Sequence, residues 1–170
     1  MREPFNIRAA SVDDAAGVAD VMNAVIAEGG VTLLDRPFSV ADERAFIASL
    51  GPRSVLHVAE IDGTIAGVQS VDLYSTMAAS LAHVATMGTW LRADARGHGL
   101  GRALAQRSFA FAIEQGYLKI VISVLASNPR ALRFYTALGF VEIGTARDHV
   151  RLRGVLHDEM FMEKSLISPS

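Results

Sequence analysis

The segment Arg96-Gly97-His98-Gly99-Leu100-Gly101-Arg102 lies between a predicted strand, residues 83–91, and a predicted amphipathic helix, residues 99–115. Its glycines occupy alternate positions, so no Cβ atom blocks a ligand that approaches the backbone there. The free N–H groups at the start of a helix, with the helix dipole behind them, attract anions. The pattern therefore predicts a phosphate-binding turn; the alternative is a glycine-rich turn with a solvated basic face.

The charges around this turn favour a diphosphate, because the whole chain carries a formal net charge of only -2. Four arginines share one short stretch with a single opposing acid: Arg92, Arg96, Arg102, Arg107 and Asp94. Two other phosphate motifs fit poorly. A P-loop would continue with Lys-Ser/Thr after its last glycine, but Gly101 is followed by Arg102-Ala103. A dinucleotide fingerprint would precede an acid by about 20 residues, where this chain has an apolar strand.

The composition is that of one folded domain, with 170 residues, 51% of them hydrophobic and 20% charged. We expect residues 1–166 to form this domain and residues 167–170 to form a frayed tail. The absence of cysteine excludes a disulfide framework, a thiolate metal site and a cysteine nucleophile. The small net charge and the lack of an apolar signal region predict a cytoplasmic protein that binds neither nucleic acid nor membrane.

Hydrophobic periodicity and turn signals predict an α/β chain. Strands are predicted at residues 5–9, 54–61, 64–74, 83–91, 118–126, 140–146 and 155–164. Helices are predicted to begin after the N-cap residues Ser11 and Asn128, after Ser39, and at Gly99. The dipeptide Asp62-Gly63 predicts a tight hairpin between the second and third strands.

A second motif lies about 30 residues downstream, Asn128-Pro129-Arg130-Ala131-Leu132-Arg133-Phe134-Tyr135-Thr136-Ala137-Leu138-Gly139-Phe140. Together the two motifs resemble the GNAT superfamily of acyl-CoA-dependent N-acetyltransferases. The first is similar to that family's Arg/Gln-x-x-Gly-x-Gly/Ala signature, and the second to its Asn-x-x-Ala-x-x-x-Tyr-x-x-x-Gly-Phe helix. The order of the predicted elements extends the resemblance over nearly the whole chain.

The resemblance implies a GNAT-like mixed central sheet of about seven strands flanked by about four helices, with strands four and five splayed apart. It implies acetyl-CoA as cosubstrate, no metal, and by the same resemblance a homodimer. The diphosphate would rest on the glycine turn, and the pantetheine arm on the fourth strand and Asn128. The cofactor-binding residues expected on this basis are Thr89, Trp90, Leu91, Arg96, Gly97, His98, Gly99, Leu100, Gly101, Arg102 and Asn128.

Tyr135 is the expected catalytic residue, facing the sulfur of the leaving thiolate; the alternative is a core aromatic beside Phe134. Direct transfer from thioester to amine, with no covalent intermediate, agrees with the lack of cysteine. A backbone N–H of the splayed strand, around residues 87–90, would stabilise the developing oxyanion. A phenol has a pKa of ~10 and a thiol a pKa of ~8.5, so full proton transfer from Tyr135 to the thiolate is uphill by about 2 kcal/mol. A hydrogen bond from Tyr135 to the sulfur is therefore the favoured role.

The general base stays open, because Thr86 stands about where many relatives place a glutamate on the fourth strand. His83, Glu28, Asp72 or a water chain are the alternatives. An α-amino group needs little help, since deprotonation at pH 7 costs about 1.4 kcal/mol, against nearly 5 kcal/mol for a lysine-like amine. The run His157-Asp158-Glu159 predicts no metal site, because alternation along a strand scatters its side chains over both faces.

The resemblance assigns substrate contacts to three segments, residues 28–38, 74–81 and 147–156. The last is rich in arginine, and arginine can hold a carboxylate; the alternative is a solvated loop. The leading hypothesis is therefore acetylation of a small primary amine such as an amino acid or an analogue. The alternatives are acetylation of a protein N-terminus or lysine, and a CoA-binding member without turnover.

Overall fold

The computed structural model describes residues 5–167, which fold into seven strands and four helices. The strands are β1 Asn6–Ala9, β2 Val55–Ile61, β3 Thr64–Leu73, β4 Val84–Leu91, β5 Lys119–Leu125, β6 Val141–Leu152 and β7 Val155–Ser165. The helices are α1 Ala15–Glu28, α2 Val40–Ser49, α3 Leu100–Glu114 and α4 Pro129–Ala137. The predicted α/β class and element order are confirmed.

All seven strands form one mixed sheet in the order β1-β2-β3-β4-β5-β7-β6. Every neighbouring pair is antiparallel except β4 and β5, which run parallel. This parallel pairing covers only the start of each strand, from Val84 opposite Lys119 to Thr86 opposite Val121. Beyond Thr86, β4 keeps its partner β3 and β5 keeps β7, so the sheet opens between them. The predicted splay is confirmed, and it leaves one edge of β4 free over residues 87–91.

Helices cover both faces of the sheet, since each presents one apolar stripe to it. On one face α1 buries Val18, Val21 and Met22 against Leu56 and Val58 of β2. The capping residue Ser39 fixes the start of α2, because its Oγ accepts a hydrogen bond from the Asp42 N–H at 3.1 Å. α3 and α4 pack on the other face, which also carries the large buried aromatic side chains of Tyr117, Tyr135 and Phe140.

The main difference from the sequence prediction concerns residues 147–152. The strand predicted at residues 140–146 continues to Leu152, so the expected substrate loop at residues 147–156 is instead the tip of a hairpin. Arg153 and Gly154 form its turn with φ values of 48° and 83°. The sequence hid this strand because β6 is an edge strand with mostly exposed side chains, so it lacks a periodic apolar signal.

The ends of the chain add two smaller observations. Of the predicted tail only Ile167 falls within the described residues, where it is exposed, and residues 168–170 lie outside them. No helix between residues 5 and 167 combines the length and the apolar character needed to cross a bilayer.

Candidate active site

A cavity of about 560 Å³ lies where β4 and β5 part. β4 contributes Thr89, Trp90 and Leu91 to its wall, and the turn before α3 contributes a second side. The third side is the start of α4, with Tyr135 one turn further along. Of the residues predicted to bind the cofactor, the cavity brings together Thr89, Trp90, Leu91, Arg96, Gly97, Gly99, Gly101, Arg102 and Asn128.

The glycine turn is shaped to expose main-chain N–H groups. Gly99 is the N-cap of α3 with φ 86° and ψ -9°, and as a glycine it has no side chain with which to cap the helix. The first hydrogen bond within the helix runs from the Ala103 N–H to the Gly99 carbonyl at 3.1 Å. The N–H groups of residues 100–102 therefore precede this ladder, in the position where helices bind anions.

The three glycines of the turn have different roles. Gly97 and Gly99 both have positive φ, and a Cβ on either would have no atom of residues 5–167 within 4 Å. They leave an open concave surface. A Cβ on Gly101 would instead lie 3.0 Å from Phe134 Cε2 and 3.2 Å from Leu91 Cδ1. Gly101 therefore serves the close packing of α3 against α4 and β4.

The cavity is lined by four arginines, which are Arg96, Arg102, Arg130 and Arg133. Sequence reasoning found the first two and missed the α4 pair, although Arg130 and Arg133 stand within the quoted motif at helical spacing. Two other predicted arginines point elsewhere. Arg92 pairs with Asp94 at 3.3 Å. Arg107 lies near His57 on β2, where burial and then the positive charge of Arg107 lower the pKa of His57 to about 4.

Arg96 is held by protein partners rather than left free. Its guanidinium makes a bidentate pair with the Glu28 carboxylate at 2.8 and 2.6 Å and also donates to the Leu91 carbonyl at 2.9 Å. These hydrogen bonds lower the pKa of Glu28 below its ordinary value. Arg96 thus ties the end of α1 to the glycine turn, and Glu28 stays ionised with little tendency to accept a proton.

Asn128 joins α4 to the loop that follows α1. Its Oδ1 accepts from the Ala131 N–H at 3.1 Å, which caps α4, and its Nδ2 donates to the Val31 carbonyl at 3.2 Å. The expected contact with the pantetheine arm would therefore use the second hydrogen on Nδ2 or the backbone. The side chain's first contribution is to fix the rim of the cavity.

Tyr135 is buried, with 5% of its surface exposed, and its ring packs edge-on against Phe134 and Phe140. Its hydroxyl lies 3.0 Å from Thr89 Oγ1 on β4. Burial raises the pKa of Tyr135 to about 12, and the hydrogen bond with Thr89 opposes that rise. Sequence reasoning missed Gln69 on β3, whose Nε2 donates to the same Thr89 Oγ1 at 2.8 Å. The signal available in the sequence was one amide side chain within a mostly apolar strand.

Two predicted cofactor residues lie outside the cavity wall. Leu100 is 1% exposed and packs into the core with Leu104, so only its main chain faces the turn. His98 is exposed on the turn.

The remaining candidates for the general base are scattered. His83 is exposed just before the start of β4, at the opposite end of that strand from Thr89. Asp72 on β3 lies opposite Thr86, and its Oδ1 accepts hydrogen bonds from Ser54 Oγ at 2.5 Å and the Leu73 N–H at 2.7 Å. Of these three groups Glu28 alone shares the cavity with Tyr135, and its carboxylate is paired to Arg96.

A second cavity of about 360 Å³ adjoins the first, and Glu28 and Gly30 line both. Its charged and titratable side chains are Glu28, Asp35, Arg153 and His157. Arg153 comes from the β6–β7 turn and lies over Gly29, where a Cβ would come within 3.2 Å of its Nη1. A carboxylate-binding group and two carboxylates thus face one small space.

Comparisons with known proteins agree with this geometry. The sequence model of the acetyltransferase (GNAT) family matches residues 21–140. A relative from Streptomyces viridochromogenes, named phosphinothricin N-acetyltransferase, is 26% identical over 175 residues, covering 99% of this chain and 92% of the relative.

Solved structures share the fold. A putative acetyltransferase from Salmonella typhimurium, determined with its cofactor acetyl-CoA, has a TM-score of 0.89 at 20% identity, with 98% of this chain and 96% of that chain covered. A GCN5-related N-acetyltransferase from Kribbella flavida has a TM-score of 0.85 at 25% identity, with 97% and 99% covered.

Proposed function

Because the chain belongs to the acetyltransferase (GNAT) family and is an acyltransferase that uses acetyl-CoA, we propose that it acetylates the primary amine of a small molecule, an amino acid or an analogue. The observation that carries the proposal is the second cavity, which continues the first and holds Arg153 beside Glu28 and Asp35. An α-amino acid offers a carboxylate to an arginine and an ammonium to carboxylates. A volume of about 360 Å³ suits a small molecule better than an extended peptide.

The conformation of Arg153 supports the same proposal. It is a non-glycine residue in the left-handed region, with φ 48°, at the tip of the β6–β7 hairpin. A two-residue hairpin turn of this type requires this conformation at both central positions, and here the turn carries the Arg153 side chain to the second cavity. The relative named phosphinothricin N-acetyltransferase adds independent support for a small acceptor.

The residues of the first cavity fit acetyl-CoA. The open surface at Gly97 and Gly99 leaves the N–H groups at the start of α3 accessible to a diphosphate, and Arg102 and Arg130 add positive charge. The free edge of β4 after Thr86 would hold the pantetheine arm through its main chain. When bound, acetyl-CoA supplies an acetyl group activated as a thioester. A main-chain N–H on this edge of β4, at residues 87–90, would stabilise negative charge on the acetyl oxygen.

Tyr135 would act as a hydrogen-bond donor to the sulfur rather than as a proton source. A pKa of about 12, against ~8.5 for a thiol, makes full transfer uphill by about 5 kcal/mol. A hydrogen bond needs no such transfer and still stabilises a leaving thiolate.

The substrate amine would lose its proton without a dedicated base. An α-amino group with a pKa near ~8 is about one-tenth neutral at pH 7, at a cost of about 1.4 kcal/mol. This agrees with Thr86 in place of a strand carboxylate and with the lowered pKa of Glu28. The ionised Glu28 would attract the ammonium form into the second cavity before the proton leaves to water.

A thiol-release assay with acetyl-CoA tests the proposal across amino acids, phosphinothricin, polyamines, aminoglycosides and short peptides. We expect turnover with one or more amino acids or analogues. Arg153→Gln should raise the KM for that amine about tenfold or more and leave the KM for acetyl-CoA unchanged. Arg151→Gln, an exposed neighbour outside the cavity lining, is the matched control. Turnover with peptides alone, or equal effects of the two variants, would contradict the proposal.

A further inference from the structure

A row of polar side chains, two of them buried and one half-buried, crosses three strands beneath α3 and α4. His57 of β2 lies directly opposite Gln69 of β3, and Gln69 lies directly opposite Thr89 of β4. Residues paired in this way point to the same face of a sheet. The row divides into two hydrogen-bonded groups. His57 Nδ1 bonds Ser108 Oγ of α3 at 2.9 Å, whereas Gln69 and Thr89 connect to Tyr135 of α4.

Gln69 is fully buried, and its Oε1 has no hydrogen-bond partner among the residues that the structure describes. An apolar side chain would avoid leaving this oxygen unpaired, since burying an unsatisfied polar atom is unfavourable. Within residues 5–167 its side chain makes one hydrogen bond, the donation from Nε2 to Thr89 Oγ1 at 2.8 Å. The contribution of this amide must therefore lie in what it does to Thr89.

The donation from Gln69 limits what the Thr89 hydroxyl can accept and leaves its hydrogen free to be donated. Thr89 Oγ1 has two lone pairs and one hydrogen. One lone pair receives the Gln69 N–H and the other receives the Tyr135 O–H at 3.0 Å, so Thr89 Oγ1 accepts both bonds and its own hydrogen remains free to turn to the Tyr135 oxygen. If that hydrogen turns to Tyr135, the tyrosine's own hydrogen is directed to an acceptor in the cavity, and each donation strengthens the next. If an acceptor atom replaced Nε2, the Thr89 hydroxyl would donate its hydrogen to that atom. The Tyr135 hydroxyl would then keep donating to Thr89 Oγ1.

We propose that Gln69 is a positioning residue that acts through Thr89 to make Tyr135 donate its hydroxyl hydrogen into the acetyl-CoA cavity. The inference rests on the proposed function for the identity of the acceptor, the sulfur. No proton changes owner in the chain: Gln69 N–H donates to Thr89, Thr89 O–H to Tyr135, and Tyr135 O–H to the sulfur. The aromatic contacts of Tyr135 with Phe134 and Phe140 hold the ring in place while the hydroxyl reorients.

A binding experiment tests the chain without turnover. A thiolate that accepts the Tyr135 hydrogen bond is stabilised over the thiol, so the thiol pKa falls and binding strengthens as pH rises. CoA affinity relative to desulfo-CoA, which lacks the sulfur, isolates this effect between pH 6.5 and 9. The chain contains no cysteine, so the CoA thiol is the only thiol in the sample. We expect the CoA to desulfo-CoA affinity ratio of the unaltered protein to rise about tenfold, which corresponds to a shift of about one pKa unit.

The variants separate positioning from packing. Gln69→Leu and the isosteric Thr89→Val should both flatten the rise of the affinity ratio with pH and lower kcat about tenfold, with the KM for acetyl-CoA unchanged. Thr89→Ser keeps the hydroxyl and should restore the rise of the affinity ratio. Ser108→Ala breaks the neighbouring His57 hydrogen bond in the same buried row, so it should cost stability without changing the ratio. The charged side chains that face this cavity are the same in all variants: Glu28, Arg96, Arg102, Arg130 and Arg133.

A rise in the affinity ratio that survives in both Gln69→Leu and Thr89→Val would overturn the proposal. If Gln69→Leu does not fold, the isosteric Thr89→Val decides alone. If the unaltered protein binds CoA but releases no thiol with any amine, the proposed function fails, and the affinity ratio still decides the role of Gln69.

Discussion

Replacing Gly99 by alanine should weaken CoA binding at the start of α3 by far more than the same change at the end of that helix. Gly99 has φ 86° and Gly116, just beyond the other end of α3, has φ 79°. A Cβ at either position would have no neighbour in residues 5–167 within 4 Å. Steric overlap is therefore absent from both changes, and only the left-handed backbone opposes the methyl group.

The two variants should lose similar stability. An L-residue held in the left-handed region costs about 1–2 kcal/mol. For a chain of this size, such a loss lowers Tm by about 2–8 °C. Only Gly99→Ala also places a methyl group beside the N–H groups of residues 100–102. Losing one charge-assisted hydrogen bond there costs about 1.5–3 kcal/mol, which raises the Kd for CoA about 10- to 150-fold.

Trp90 provides the assay, because it is the only tryptophan of the chain and it lines the cavity. Quenching or enhancement of its fluorescence on titration with CoA gives the Kd, and thermal denaturation gives Tm. If Gly99→Ala bound CoA as tightly as the unaltered protein, the phosphate site at the start of α3 would be refuted. If both variants lost affinity equally, general loosening of α3 would explain the result.

Three further predictions concern single side chains. The pKa of Asp14 is lowered to about 2 by its hydrogen bond from Arg8. The resulting stabilisation of about 2 kcal/mol is present above pH ~4 and is lost as the pH falls through ~2. Asp14→Asn should therefore flatten the loss of unfolding free energy between pH 5 and 2, measured by urea denaturation, and an unchanged slope would contradict this. Glu28→Gln removes the charge that faces Arg96, so unfolding free energy should fall by about 1 kcal/mol while CoA binds severalfold more tightly at low salt; weaker CoA binding would contradict it. Tyr135→Phe should lower kcat about 100-fold and change CoA affinity less than twofold at pH 6.5, where the bound thiol is still protonated; equal losses in both would refute its leaving-group role.

The sequence predicted the parts of the site whose cause is local. Gly99 and Asn128 are helix caps, and capping depends on residues within one turn. The alternation of Gly97 and Gly99 with bulkier residues likewise expresses a backbone requirement that only glycine meets without strain. That these two helix starts lie at one cavity was implied by the resemblance to the GNAT family, because local rules do not say which segments of the chain meet.

The parts that the sequence missed depend on contacts between distant segments. Arg96 was expected to face a diphosphate, and its pairing with Glu28 could not be anticipated because the two residues are 68 positions apart. Gln69 escaped notice for the same reason, since its meaning comes from Thr89 on another strand. The predicted sixth strand ended too early because an exposed edge strand buries few side chains in the core and therefore shows no apolar alternation.

The opening between β4 and β5 is itself a product of such long-range contacts. Main-chain pairing ends at Thr86, and from there each strand is held by its outer neighbour alone. α4 lies at the resulting gap. It is hydrogen-bonded to β4 through Tyr135 and to the loop that follows α1 through Asn128. On the opposite face Gly88 lies under the Trp90 ring, where any side chain would overlap it. The walls of the cavity are thus fixed by side chains from four segments, so a ligand can use the free edge of β4 without breaking any strand pair.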